Sequence, residues 1–238
     1  MNDPTPRPMN PTPKSVLEQI STCWPLIHNP VQFVMRYARA IQKYVAAIVR
    51  DPHDAEEVAQ DFLVRVFDKG FCPENVSRGR FRDYLKSAVR YVAISHLRKR
   101  RSAELSEEVL ASIVQPDSDA DRAWSSEWHD CLLERVWQSL ELHQQQTADN
   151  LFYSVLRLHT ENPAASSDEH AARLSEQLGR PVRADAFRQQ LHRARKHFAK
   201  LIVAEVRQTL QQPTAEEIEQ ELIDLDLMTY VREFLKSN

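Results

Sequence analysis

Apolar residues recur at helical spacing along most of the chain. Between Val31 and Arg50 they fall at positions 34, 37, 38, 41, 45 and 48, one face of an amphipathic helix. Asp51-Pro52 breaks that run, because the residue before a proline is pushed out of the helical region. Asp54 is expected to cap the next helix, with Glu56 and Glu57 in its first turn. Val58, Phe62 and Val66 form its stripe, Leu63 and Phe67 lie beside it, and Lys69-Gly70 ends it. Residues 71–80 read as a loop by composition. A third helix is predicted from about Phe81 to Arg101, with Phe81, Tyr84, Leu85, Ala88, Val89, Val92 and Leu97 on its apolar face.

The pattern then changes. Residues 102–126 are acidic and read as a linker, with room for a short helix around 104–114. Helical spacing resumes near Glu127 with Trp128, Leu132, Leu133, Val136, Trp137 and Leu140, and continues from Ala148 to Thr160. Trp128 and Trp137 are expected in a core or interface, and so is Trp124 unless its place in the linker makes it the exception. Ser166-Ser-Asp-Glu reads as a capping box, with Ser166 as the cap and Glu169 three residues on. That helix should run to Leu178 and stop at Gly179. Arg180-Pro-Val-Arg is a turn, and a long helix follows from Ala184 to about Leu210, before Pro213. Residues 213–238 form an acidic helical extension, with Ile218, Leu222, Leu225 and Tyr230 as its apolar positions; it reads either as a structural cap on the second helical unit or as an acidic regulatory segment over a basic face. Residues 1–14 hold five prolines and almost nothing to bury, as in a disordered tail. The expected fold is all-α: two helical domains, 15–101 and 127–212, joined by the acidic linker.

Composition narrows the chemistry. Three glycines in 238 residues disfavour glycine-rich phosphate loops, and no such motif occurs. Apolar runs are far shorter than the roughly 20 residues of a membrane span. The N-terminal residues lack a secretory signal, and Cys23, Cys72 and Cys131 stand apart. A cytoplasmic protein without a disulfide framework, zinc site or membrane contact is expected. The histidines lack metal-ligand spacing, and no nucleophile triad or carboxylate pair stands out, so neither a catalytic site, a cofactor nor a small-molecule substrate is expected.

The formal net charge of −3 conceals segregation. Arg78–Arg101 holds nine Lys or Arg against one acid, and Arg180–Lys200 holds seven against one. Between them, Ser102–Leu142 holds ten acids against two arginines. Two basic blocks suit a polyanion. The second lies on the later helix of a helix-turn-helix pattern, Ser167–Leu178, Gly179–Arg183 and Ala184–Lys200. Arg188, Gln189, Gln190, His192, Arg193, Arg195 and Lys196 could meet base edges and phosphates, while Phe187, Leu191, Ala194 and Phe198 seat the helix. The alternative is a helical pair with a solvated charged face. In the first block, Tyr84 and Tyr91 stand among Arg80, Arg82, Lys86, Arg90 and Arg98-Lys-Arg-Arg. Such interleaving fits single-stranded nucleic acid, but equally fits core tyrosines beside a solvated helix end.

The run Asp54-Ala-Glu-Glu-Val-Ala-Gln-Asp-Phe-Leu-Val-Arg-Val-Phe, then Gly79-Arg-Phe-Arg-Asp-Tyr-Leu-Lys-Ser-Ala-Val-Arg, then Leu97-Arg-Lys-Arg-Arg, resembles region 2 of bacterial RNA polymerase sigma factors. Glu169-His-Ala-Ala-Arg-Leu-Ser-Glu-Gln-Leu-Gly and Leu191-His-Arg-Ala-Arg resemble their region 4. The class with only these two regions is the extracytoplasmic-function (ECF) class. The resemblance implies that Asp54, Glu57, Gln60, Asp61 and Arg65 dock on the β′ clamp of core RNA polymerase, with the β flap as a second contact. It implies that Arg78, Arg80, Phe81, Arg82, Tyr84, Lys86, Arg90, Arg98, Lys99, Arg100 and Arg101 hold the −10 element. The loop Glu74–Arg80 would take a flipped base. Arg183, Arg188, Gln189, His192, Arg193 and Lys196 would read the −35 element of promoter DNA. An anti-sigma factor is a further partner the class allows. Where the family commonly has Asn and Asp, this chain has Tyr91 and Ser95. The other reading is a stand-alone helix-turn-helix regulator that binds duplex DNA as a dimer, which has no need of the Asp54–Phe67 and Phe81–Arg101 helices.

Overall fold

The computed structural model describes residues 29–71, 80–101, 118–210 and 213–235. The proline-rich start, Arg78 and most of its loop, and the expected helix around 104–114 lie outside these residues. Among the described residues the chain is all helical, apart from one isolated antiparallel bridge between Arg80 and Leu210.

Helix α1 spans Pro30–Val49 and α2 Pro52–Lys69. Each starts with proline in its first turn, where the missing N–H costs nothing. Asn29 caps α1 by accepting the Gln32 N–H, and Asp51 caps α2 by accepting the Asp54 N–H. The cap of α2 is therefore Asp51 and not Asp54. The Asp51-Pro52 pair is a helix start as much as a helix stop. Helix α3 covers Phe81–Arg101, as its periodicity predicts. Helices α1, α2 and α3 pack around Phe33, Tyr37, Ile41, Val58, Phe62, Phe81, Leu85 and Val89.

Helix α4 runs unbroken from Ser118 to Gln146. The expected linker is thus helical from residue 118, nine residues before the predicted start near Glu127. Trp124 is completely buried within that stretch. The buried positions Ala120, Trp124, Trp128, Leu132, Val136 and Leu140 step by four. At about 100° per residue, each such step turns the stripe by about 40°. The stripe therefore winds around the helix, and its two ends face different neighbours. Near its start, Trp128 stacks on Tyr37 of α1 at 4.9 Å and Trp124 lies 5.1 Å from Tyr44. Farther on, Trp137 meets Phe198 at 5.0 Å and Tyr153 at 5.9 Å.

Helices α5 (Phe152–Glu161), α6 (Ser167–Leu178) and α7 (Ala184–Gln208) follow. Helix α7 serves two cores. Its first half gives Phe187 to a small cluster with Val155, Leu158, Ala171 and Leu174. Its second half gives Phe198, Ile202 and Val206 to the large core shared with α1 and α4. That core crosses the boundary expected between two domains. A polar knot reinforces the crossing: Glu205 of α7 accepts from Arg36 of α1 and Arg135 of α4, both at 3.1 Å.

The C-terminal extension is two helices rather than one, α8 (Ala215–Asp224) and α9 (Met228–Leu235). Thr214 and Glu217 form a capping box at the start of α8. Asp226 adopts a left-handed φ of 54° between the helices. That turn lets Leu222, Leu225, Leu227 and Val231 all enter the large core.

Candidate nucleic-acid interface

The predicted site residues lie on three faces. On α2, Glu57, Gln60, Asp61 and Arg65 are exposed, with Arg65 lying 3.9 Å from Asp61 one turn back. Asp54 differs: it is buried, because its carboxylate is engaged by Arg100 near the end of α3. It ties two helices together and is withdrawn from the exposed face. Val64 and Phe67, absent from the predicted set, stand 56% and 54% exposed on the same face. Positions 57, 60, 64 and 67 share one helical stripe, and large apolar residues on an otherwise polar stripe are the signal that could have found them.

The N-terminal half of α3 is engaged internally. Phe81 is buried among Phe33, Tyr37, Phe71 and Trp128. Tyr84 is half-buried, its ring 5.3 Å from that of Phe71. Arg82 is buried and makes a two-pronged contact with Glu221 of α8: Nε donates at 3.0 Å and Nη2 at 3.2 Å. Its Nη1 lies 3.5 Å from Ser125 Oγ. Arg80 reaches the same Glu221 at 3.1 Å and also pairs with Asp224. Lys86 pairs with Asp121 of α4 at 2.9 Å. Arg90 faces Tyr44 of α1, whose hydroxyl is pushed upward mainly by burial. Burial also raises the Glu221 carboxyl above the usual range, against the pull of Arg82 and Arg80. Asp224 is only partly buried, and hydrogen bonds from Arg80 and Gln220 hold it below the usual range despite that burial.

The far end of α3 faces solvent. Arg98, Lys99 and Arg100 are exposed, and Arg101 closes the helix. Tyr91 is 73% exposed, so the larger part of this ring is in solvent and outside any core. The two tyrosines left open by the sequence therefore divide: Tyr84 packs and Tyr91 projects.

The third face belongs to α6, the turn and α7. The capping box forms as predicted, with Ser166 Oγ accepting the Glu169 N–H and the Glu169 carboxylate accepting the Ser166 N–H. The Ser166 N–H and hydroxyl both donate to the Glu169 carboxylate and hold that carboxyl below its ordinary range. Gly179 ends α6 at φ 62° and ψ 20°, left-handed backbone that a side chain rarely adopts. Ser175 Oγ accepts the Val182 N–H at 2.8 Å and donates to Ala171 O at 2.7 Å, which fixes the turn against α6. Phe187 stacks on His170 and seats the following helix. Arg188, Gln189, His192, Arg193 and Lys196 are all exposed, and their three- and four-residue spacing puts them on one side. Arg183 is exposed at the turn and lies 3.2 Å from Asp185. Gln190 is only partly exposed, and Arg195, exposed beside Arg188 and His192, contacts His159 at 2.7 Å.

Among the described residues, no group of three His, Cys, Asp or Glu could hold a metal ion, and no helix is long and apolar enough to cross a membrane. His143 and His197 do meet, stacked at 4.2 Å between α4 and α7, and burial together with the nearby His143 lowers the His197 pKa.

No curated protein and no solved structure matches the chain. Residues 33–103, the span that runs through α1, α2 and α3, match the family model of sigma-70 region 2. That match covers 71 of the 238 residues and supports a sigma-70-type role in promoter recognition and transcription initiation.

Proposed function

We propose that the chain is an ECF-class sigma factor, acting in the cytoplasm through a region 2-like unit and a region 4-like unit. The observation that carries this reading is the coincidence of the region 2 match with α1–α3, where an exposed apolar and acidic face and a basic helix end occur together. The α2 face around Glu57, Gln60, Asp61, Val64, Arg65 and Phe67 would dock on the β′ clamp. Its mixed chemistry suits such docking, since apolar anchors give affinity and the charges give orientation. The exposed end of α3 would hold the −10 element, with Tyr91 able to stack an unpaired base. The α7 stripe would enter the −35 major groove, while the β flap contacts the same unit. Arginine and glutamine suit guanine and adenine edges there, and lysine suits phosphate. An anti-sigma factor fits the reading as a regulator.

The test is transcription by core polymerase on fragments of the source genome. Added chain is expected to create start sites absent with core alone. The combined variant Arg188→Ala, Arg193→Ala and Lys196→Ala should reduce those starts at least tenfold. It should also lower the salt slope of duplex binding by about one for each phosphate no longer held. Duplex binding without any new start site would instead favour the stand-alone regulator.

A further inference from the structure

Glu221 and Asp224 engage Arg80, just before α3, and Arg82 in its first turn. Arg82 presents its guanidinium fork to Glu221 through two hydrogen bonds, at 3.0 and 3.2 Å. This is the geometry a guanidinium uses for a phosphate, so carboxylate and phosphate compete for the same N–H groups. Arg80 is held by the same Glu221 and by Asp224. Both acids lie on α8, outside the span matched by the family model. The helix pair reaches the other basic face as well, where Phe234 of α9 lies 5.9 Å from His192 of α7. Leu222, Leu225, Leu227 and Val231 hold the pair down by burial.

We infer that the α8–α9 pair is an internal competitor of nucleic acid: its carboxylates hold Arg80 and Arg82, and strand binding at the start of α3 requires its displacement. The inference rests on the reading of α3 as a nucleic-acid face. A buried ion pair is suited to such a switch. Desolvation offsets most of its attraction, so it fixes a geometry while adding little net stability. Exchange of one anionic partner for another then has a small cost. Leaving Arg82 buried with no anion has a large one. The helix pair therefore leaves when a polyanion is there to replace it.

The experiment uses the full-length chain and a fluorescein-labelled oligothymidylate, read by fluorescence anisotropy. Glu221→Gln with Asp224→Asn removes the charges and keeps the shape of α8. Glu219→Gln with Glu233→Gln, both exposed, makes the same change in net charge and is the control. The first pair is expected to tighten binding at least tenfold beyond the control. Adding Arg80→Ala and Arg82→Ala should abolish that gain. Equal affinity for the two pairs, or a gain that survives loss of the arginines, overturns the inference. A second measurement needs no variant. Saturating oligothymidylate should speed amide hydrogen exchange over residues 215–235 of the wild-type chain; unchanged or slower exchange also overturns it. Co-elution with core polymerase separates the two claims. A chain that binds core but gives equal affinities loses only the competitor. A chain that ignores core but gives the tenfold gain keeps the competitor and loses the sigma-factor reading.

Discussion

Trp128→Ala is expected to be among the most destabilising single changes in this chain, with a loss of about 3–5 kcal/mol. Trp128 is 1% exposed and lies where α1, α3 and α4 meet. Its ring stacks on Tyr37 at 4.9 Å and approaches Phe81 at 6.2 Å and Trp124 at 5.5 Å. Truncation would open a cavity with rigid aromatic walls, which collapse poorly. For a chain of this size the loss corresponds to a fall in thermal midpoint of roughly 6–20 °C. Thermal unfolding followed by circular dichroism measures it. The effect should be cooperative across the whole molecule, because the core that Trp128 enters also includes Phe198, Ile202 and Val231. A loss below about 1 kcal/mol, or separate melting of two halves, would contradict the single shared core.

The second large effect is on binding. On the proposed docking of α2, Asp61→Lys with Phe67→Ala should weaken association with core RNA polymerase at least tenfold, about 1.4 kcal/mol or more. Both side chains are exposed, at 64% and 54%, and neither lies in the core. The change should therefore leave the thermal midpoint within a few degrees of wild type. That split matters, since a buried residue would move both quantities. Truncating Phe67 removes an aromatic anchor of the kind that dominates interfaces, and the charge reversal opposes the acidic character of the face. Titration of labelled core polymerase with each protein reads the affinity. Unchanged affinity would move the docking surface away from α2.

Helix α3, helix α6 and the turn before α7 are legible in the sequence for local reasons. Helix α3 has one dominant apolar stripe, and α6 has a capping box at one end and a left-handed glycine at the other. Signals of that kind act within a few residues and survive without tertiary knowledge. The start of α4 is hidden because Ser118–Ser126 is polar by composition, and its buried positions step by four so that no straight stripe forms. The role of Asp54 is obscured for a similar reason. Two aspartates three residues apart can each cap, and Pro52 in the first turn decides for Asp51. The exposed stripe of α7 is readable because its cations lie opposite Phe187, Ala194 and Phe198. The fate of Arg80 and Arg82 is not. Their partners Glu221 and Asp224 lie about 140 residues away, and the acidity of that segment does not say which basic residues it meets. A long-range pairing of charges leaves no periodic trace in either segment.

One interaction decides the functional reading, that of the chain with core RNA polymerase. Its most direct test is co-elution of the purified wild-type chain with bacterial core polymerase on size exclusion, in competition with a housekeeping sigma factor. A sigma factor should form a stable complex from which increasing housekeeping factor displaces it, because both occupy one clamp. A chain that elutes free of core at micromolar concentration, or that binds core without competition, would contradict that reading.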